Sequence, residues 1–239
     1  MYILYEGPSQ LDGAPIVVIL TGTPKLGKRG QPLATKASRN SKTGAMLIRS
    51  DIAPHHAVKS GADSSICGNC GHRPELAKLS GAAACYVKTF QAPLSVYLAY
   101  KRGRYQPLPI ADIAAKVTGH RTRIGSYGDP AAAPIAIWQA IAGAAEGITG
   151  YSHQWRDGRF ADYRDFLMAS VDNAGEALDA MARGWRYFRV AAKGDAAKLG
   201  REVSCPASKE AGARTTCAAC RACGGLAARA KASIVIQAH

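Results

Sequence analysis

Apolar residues occur along the chain in short runs that predict strands alternating with helices. Residues 15–22, PIVVILTG, combine Val, Ile and Leu in one run that Pro and Gly delimit, which is typical of a buried strand. Further strands are predicted at 45–52, 122–127, 148–154, 165–171, 186–191, 202–205 and 233–237. Helices are predicted at 92–102, 109–118, 133–145 and 175–183.

Strands that alternate with helices predict an α/β fold in which helical crossovers connect parallel strands. The number of predicted strands favours a full or partial (β/α) barrel of the TIM type, with an open doubly wound sheet as the alternative. No glycine-rich dinucleotide-binding fingerprint follows the early strands, which favours the barrel. We therefore divide the chain into an N-terminal strand and basic arm, 1–44, and a barrel, 45–239, which includes a C-terminal cysteine segment at 203–225.

Polar side chains lie at the carboxyl ends of several predicted strands or just after them, where the loops of a β/α barrel form its active site. These candidates are Ser126, Gly128, Asp129, His153, Asp172 and Asn173. His153 is a candidate acid or base near neutral pH, and a buried, hydrogen-bonded histidine is the alternative. Asp129 is a candidate ligand for an amine, but an Asp before Pro130 also suits a helix N-cap. Asp172 and Asn173 suit contact with a ribose or a substrate, or the N-cap of the next helix.

Seven cysteines form two groups along the chain. The first group is Cys67, Cys70 and Cys85, with the spacing C-x₂-C-x₁₄-C. The second group is Cys205, Cys217, Cys220 and Cys223, of which the last three form C-x₂-C-x₂-C and the first precedes a proline. Four thiolates can complete the coordination of a metal or cluster, whereas three leave one position open for chemistry.

Each cysteine group is open to more than one interpretation. The second group is typical of a [4Fe–4S] cluster, because two-residue spacers let successive thiolates surround one cube, and a structural Cys₄ zinc site is the alternative. The first group suits a three-cysteine [4Fe–4S] cluster with an open iron, or a redox-active C-x-x-C pair. A third interpretation is a zinc site that His72, His55 or His56 completes.

The charge of the chain bears on its partners. The 239 residues carry a formal net charge of +14, with an isoelectric point of about 9.7, and this favours an acidic partner such as nucleic acid. Residues 23–44 contain six Lys or Arg and no acid. We expect this segment to be either a solvated loop or an arm that contacts phosphates.

The cellular location affects how the cysteines are interpreted. No apolar run approaches the roughly 20 residues that cross a bilayer, and the N-terminus lacks the basic and apolar segments of a signal peptide. We therefore expect a cytoplasmic protein without a membrane partner, in which clustered cysteines are metal ligands or catalytic groups rather than disulfides. No P-loop pattern and no Ser-His-Asp order is visible, which argues against NTPases and hydrolases of those types.

The order of strand, cysteine loop and barrel resembles the radical S-adenosylmethionine (SAM) superfamily. More narrowly, it is similar to an uncharacterised family of phage- and plasmid-encoded proteins with a radical-SAM-like barrel. The resemblance covers roughly residues 45–239. It is carried by Ala84-Cys85-Tyr86-Val87 with Tyr105, by the segments 123–130 and 150–155, and by Thr216-Cys217-Ala218-Ala219-Cys220-Arg221-Ala222-Cys223.

The resemblance implies a fold, two cofactors and a reaction. Three cysteines would hold a [4Fe–4S] cluster whose open iron binds SAM. Gly128-Asp129 lies where the superfamily has a turn that helps to hold the amino group of SAM. The second cysteine group would bind an auxiliary cluster. The superfamily usually has C-x₃-C-x₂-C, where this chain has C-x₂-C-x₁₄-C. The reaction would be reductive cleavage of SAM, followed by hydrogen abstraction from an unknown substrate. The alternative is a zinc-stabilised, basic nucleic-acid-binding protein of a mobile element without catalysis.

Overall fold

A computed structural model of the protein describes residues 1–22, 44–76, 85–192 and 198–238. The strands in these ranges form two sheets, ordered β4-β1-β2-β3-β5-β6 and β10-β11-β9-β8-β7. Their bounds are β1 Tyr2–Pro8, β2 Pro15–Thr21, β3 Gly44–Arg49, β4 Gln106–Pro107, β5 Arg121–Ile124, β6 Gly147–Thr149, β7 Tyr151–Ser152, β8 Met168–Val171, β9 Tyr187–Ala191, β10 Val203–Ser204 and β11 Ile234–Gln237.

Both sheets contain parallel strands. In the first sheet, β2 pairs antiparallel with β1 and β3, whereas β3 pairs with β5, and β5 with β6, in parallel. In the second sheet the pairs β10–β11, β11–β9, β9–β8 and β8–β7 are all parallel. The prediction of an α/β fold is therefore confirmed. The barrel itself stays a prediction.

Helices lie between most of the parallel strands. Their bounds are Pro54–Ser60, Ser64–Cys67, Ala92–Lys101, Ile110–Val117, Ile135–Ala144, Ala174–Ala182 and Cys217–Cys220, with 3₁₀ helices at Pro130–Ala132 and Gly158–Asp165. The four predicted helices are found within one or two residues of their expected bounds. The three short helices at 54–60, 64–67 and 217–220 were not predicted, because four to seven residues are too few to show a helical repeat of apolar positions.

Four predicted strands differ from the observed ones. Those expected at 45–52 and 122–127 end three residues early, at Arg49 and Ile124. The strand expected at 148–154 is divided at Gly150 into β6 and β7, which belong to different sheets. The Gly150 carbonyl accepts a hydrogen bond from the Met168 backbone at 3.1 Å, and its N–H donates to the Cys223 carbonyl at 3.2 Å. The strand expected at 165–171 begins only at Met168, because residues 158–165 form a 3₁₀ helix.

The core lies against the first sheet and extends to the helices that follow it. Ile16 to Leu20 of β2 are fully buried, as are Leu47 and Ile48 of β3. Trp138, Trp155 and Trp185 are all buried. The indole N–H of Trp138 donates to the Pro130 carbonyl at 2.8 Å, so its burial leaves no unpaired donor.

The N-terminal strands belong to the same sheet as the parallel strands that follow. β1 was not predicted, although it pairs with β2 over most of its length. The basic arm, with Lys25, Lys28 and Arg29, lies outside the described residues, so its contact with phosphates and the division of the chain at residue 44 stay predictions. None of the helices in the described ranges is long and apolar enough to cross a membrane.

Candidate metal centres

The first cysteine group begins in the segment that follows β3. Cys67 ends the short helix Ser64–Cys67, its backbone N–H donates to the Asp63 carbonyl at 2.9 Å, and Cys70 N–H donates to the Cys67 carbonyl at 3.2 Å. The buried Arg73 holds this loop, because its guanidinium donates to the Asp63 carboxylate at 2.8 Å and to the Gly61 carbonyl at 2.8 Å. Arg73 and Asp63 therefore fix the shape of the cysteine loop.

The thiols of this group are close enough to affect one another. Burial raises the pKa of Cys67 well above its usual range, and the negative charges of Cys70, Asp63 and Cys85 raise it further. Burial raises the pKa of Cys70 to about 12, although a hydrogen bond from the His72 backbone to its sulfur acts in the opposite direction. The structure thus brings together the three cysteines that the sequence grouped. Without a cation or cluster, Cys67 and Cys70 are protonated at neutral pH.

Asp129 lies beside this group and is buried. Its Oδ1 accepts the Ala131 N–H at 3.0 Å, which caps the 3₁₀ helix Pro130–Ala132, and its Oδ2 accepts the His153 backbone N–H at 2.7 Å. Burial raises the pKa of Asp129, while the charge of His153 and these hydrogen bonds lower it in part. The N-cap interpretation of Asp129 is the one observed. A contact with a ligand amine stays a prediction.

His72, His153 and Asp172 form a compact cluster next to the cysteine loop. His72 Nε2 lies 2.9 Å from Asp172 Oδ1, and the ring centroids of His72 and His153 are 6.0 Å apart in an edge-on arrangement. One ligating atom from each of the three residues lies within 4.8 Å of the other two. His153 Nε2 is buried and has no hydrogen-bond partner in the part of the chain that the structure describes. This cluster can hold a proton or a metal ion.

The charges within the cluster follow from its burial. Burial alone would raise the pKa of Asp172, but the hydrogen bond from His72 and the charges of His72 and His153 lower it overall. Burial lowers the pKa of His153, against the raising effect of the Asp129 and Asp172 carboxylates. His153 and Asp172 were predicted from the sequence as candidate active-site residues, whereas His72 was predicted only as a possible zinc ligand.

Asn173 is a helix N-cap, which was the alternative to its prediction as a ligand-binding residue. Its Oδ1 accepts the Glu176 N–H at 2.9 Å and caps the helix Ala174–Ala182. Glu176 in turn accepts the Asp172 backbone N–H at 2.8 Å. These two hydrogen bonds orient the loop after β8, where the Asp172 side chain meets His72.

Ser126 and Gly128, two predicted cofactor-binding residues, lie in the loop after β5. The Ser126 hydroxyl donates to the Ala45 carbonyl at 3.2 Å, and the side chain lines a large cavity. Gly128 has φ of +82°, and a Cβ there would lie 2.8 Å from the Leu47 Cβ and 3.2 Å from the Ile66 carbonyl oxygen. Gly128 is required by the close packing of this loop on β3 and on the helix that bears Cys67.

We expect Gly128→Ala to lower the free energy of unfolding by about 2–4 kcal/mol, from left-handed backbone strain and overlap with Leu47. Urea denaturation measures this change. The matched control is Gly143→Ala, on the exposed side of the helix Ile135–Ala144 with no atom within 4 Å of the added Cβ. That substitution should raise stability by roughly 0.5–1 kcal/mol. Equal effects of the two variants would contradict the packing role of Gly128.

The second cysteine group surrounds a small cavity. Cys205 follows β10, Cys217 and Cys220 delimit a one-turn helix capped by the Thr216 hydroxyl, and Cys223 follows three residues later. All four line a cavity of about 20 Å³. The structure therefore gathers the four cysteines that the sequence assigned to one site.

Hydrogen bonds are directed at the sulfurs of the second group. Burial raises the pKa of Cys223 to about 12, and a hydrogen bond from the Tyr151 hydroxyl acts against this rise. Burial also raises the pKa of Cys205, against hydrogen bonds from the backbone N–H groups of Ala207 and Ser208. Donors aimed at sulfur favour the thiolate form, and they are typical of the surroundings of metal-bound cysteines.

Arg186 of the segment before β9 anchors the chain around Cys223. Its guanidinium donates to the carbonyls of Gly225 at 2.7 Å, Ala222 at 2.9 Å and Ala232 at 2.5 Å. Arg186 is buried, and its only hydrogen-bond acceptors among the described residues are these three carbonyls. No local sequence pattern indicates this contact, because the arginine lies more than 30 residues from its acceptors.

One set of metal-ligating side chains is compact among the described residues. His72, His153 and Asp172 each offer a ligating atom within 4.8 Å of the other two. Neither His55 nor His56 belongs to such a set in the described ranges.

No protein-family model, curated protein or solved structure matches the chain. The functional argument therefore rests on the geometry of the cysteine groups and of the residues around them.

Proposed function

We propose that the protein is an iron–sulfur protein of the radical-SAM type, with one [4Fe–4S] cluster on Cys67, Cys70 and Cys85 and a second on the four C-terminal cysteines. The observation that carries this proposal is the division of seven thiols into a set of three and a set of four around a separate cavity. The set of three leaves one coordination position open. The set of four leaves none.

The finer fold on which the proposal depends is a partial (β/α) barrel. Gly150 alone separates β6, which pairs with β5, from β7, which pairs with β8. If β6 and β7 are taken as one strand, a continuous series of parallel strands runs β3-β5-β6/β7-β8-β9-β11-β10. Asp129, His153 and Asp172 follow the carboxyl ends of β5, β7 and β8, which is the position of active sites in β/α barrels.

Two features suit iron–sulfur clusters. Each thiolate of a four-iron cube binds a separate iron, so a set of four completes one cube and a set of three leaves one iron open. Hydrogen bonds also reach Cys70, Cys205 and Cys223 from backbone N–H groups and from the Tyr151 hydroxyl. Such bonds to sulfur set the reduction potential of a cluster.

When bound, a reduced four-iron cluster with an open iron supplies the electron that cleaves SAM. The side chains of the protein fix the loops around the cluster and hold a proton beside it. Asp129 fixes the loop after β7 by accepting the His153 N–H, and the Gln154 amide ties the same loop to the Cys67 carbonyl at 3.4 Å. His72 and Asp172 hold a proton between Nε2 and Oδ1, and the unpartnered Nε2 of His153 is a neighbouring acceptor within the described part of the site.

The test is SAM cleavage by the reduced protein. One electron from dithionite breaks a sulfonium C–S bond, methionine leaves, and the carbon radical takes a hydrogen atom from a substrate. We expect the wild-type protein to release methionine and Cys85→Ser to fall to the rate of a sample without protein. Because Cys85 is exposed, this substitution should leave the fold intact, and thermal unfolding checks this. Iron-loaded, reduced wild-type protein that neither binds nor cleaves SAM would refute the proposal.

A further inference from the structure

A large cavity lies between the chain segments that carry the two cysteine groups. Its volume is about 980 Å³, and it is lined by residues of β3, β5 and β6. Tyr86, which follows Cys85, contributes one side, and Cys217 contributes another. The volume is that of a site for a single small ligand.

The walls of this cavity are basic. Lys88, Arg121, Arg123 and Arg221 line it, and none of its described lining residues is acidic. The carboxylate of Glu146, outside the lining, pairs with both Arg121, at 3.2 Å, and Arg221. One carboxylate thus neutralises part of the charge of two arginines, and the cavity keeps a positive potential that favours an anion.

Arg123 is the side chain best prepared for an anionic ligand. In the part of the chain that the structure describes it forms no salt bridge, and its Nε is buried without a hydrogen-bond partner. Its guanidinium carbon lies 5.6 Å from the ring centroid of Tyr86 and 5.7 Å from that of Tyr151. The two rings hold the guanidinium in place, and its planar set of donors matches the oxygens of a phosphate.

Exposed aromatic side chains lie at the edge of the basic cavity or close to it in sequence. Tyr86 is 67% exposed although it borders the cavity, and Phe90, four residues further on, is 65% exposed. Exposed aromatic rings next to a basic groove are the surfaces on which nucleobases stack. A ligand that combines an anionic group with a flat ring system would use both features.

We propose that this cavity binds a nucleoside phosphate, either as a free nucleotide or as one nucleotide of a single strand. Arg121, Arg123 and Arg221 bind the phosphate, and Tyr86 stacks on the base. The proposed function enters at one point, where the bound nucleotide would be the substrate of the radical reaction. Binding itself requires neither SAM nor a reductant.

The experiment measures equilibrium binding by the full-length, metal-loaded protein without SAM or reductant. The probes are uridine 5′-monophosphate, uridine, inorganic phosphate and a labelled single-stranded oligonucleotide. The nucleotide should bind more tightly than uridine or phosphate alone. If the physiological ligand is a strand, the oligonucleotide binds more tightly than the nucleotide, and its affinity falls with salt.

Arg123→Gln should weaken binding of the preferred probe about 10- to 100-fold, because it removes a charged hydrogen-bond donor to phosphate. Arg123→Lys should restore part of the loss. The matched control is Arg159→Gln, an exposed arginine paired with Asp157 outside the cavity, which should bind as the wild type does. Thermal unfolding checks that each variant is folded.

Three results would overturn the assignment: no binding of nucleotide or strand, phosphate binding as tightly as the nucleotide, or unchanged affinity in folded Arg123→Gln. If the wild-type protein binds nucleotide but does not cleave SAM, the proposed function is refuted and this inference stands. If it cleaves SAM but binds neither nucleotide nor strand, this inference is refuted and the proposed function stands.

Discussion

Arg189→Met should lower the free energy of unfolding by about 3–5 kcal/mol, because it leaves the Glu202 carboxylate buried without its partner. The side chains of Arg189 and Glu202 are 1% and 0% exposed. Two parallel hydrogen bonds join them, from Nε to Oε1 at 2.9 Å and from Nη2 to Oε2 at 2.8 Å. The Glu202 carboxylate also accepts the Leu199 N–H at 3.0 Å, and the pair therefore ties β9 to the segment that leads to Cys205.

Urea denaturation of two further variants tests this explanation. Arg189→Met/Glu202→Leu removes both charges, so it should lose less stability than Arg189→Met alone. The matched control is Arg159→Ala, whose exposed pair with Asp157 should contribute no more than about 1 kcal/mol. A loss below about 1 kcal/mol in Arg189→Met, or a double variant less stable than Arg189→Met, would show that the pair is not a buried interacting unit.

Cys217→Ser should remove the second cluster and leave the first, which halves the iron content from about eight to about four per chain. Cys217 is exposed, so the substitution does not disturb the core. Cys223→Ser provides the same test from the buried side of the group, where it also removes the partner of the Tyr151 hydroxyl.

The matched variant for metal content is Cys85→Ser, also exposed but in the first group. It should lose the other half of the iron and keep the second cluster. Unchanged iron in Cys217→Ser, or loss of all iron in both variants, would contradict two independent sites.

The elements that the sequence predicted well are those with local signals. Pro109 and Gly119 delimit the helix Ile110–Val117, and a run of Val and Ile marks β2. β6 and β7 could not be separated from the sequence, since the break at Gly150 depends on hydrogen bonds to Met168 and Cys223. β1 was missed because its apolar residues are mixed with polar and glycine positions and only Leu4 of its seven residues is buried.

The candidate site was predictable in its residue types but not in its contacts. Cysteine spacing correctly grouped the thiols that lie together, since C-x-x-C brings two sulfurs together locally. The contact between His72 and Asp172 joins residues 100 positions apart, and no local pattern indicates it. Asp129 and Asn173 were each recognised as either a cap or a ligand, and only the hydrogen bonds to Ala131 and Glu176 identify them as caps.

The central claim is that the two cysteine groups hold iron–sulfur clusters, and metal analysis of protein purified without oxygen tests it most directly. Iron, acid-labile sulfide and zinc are measured per chain. Two four-iron clusters predict about eight irons, about eight sulfides and no bound zinc. Zinc in place of iron, with no labile sulfide, would contradict the claim and leave the nucleotide cavity as the function to pursue.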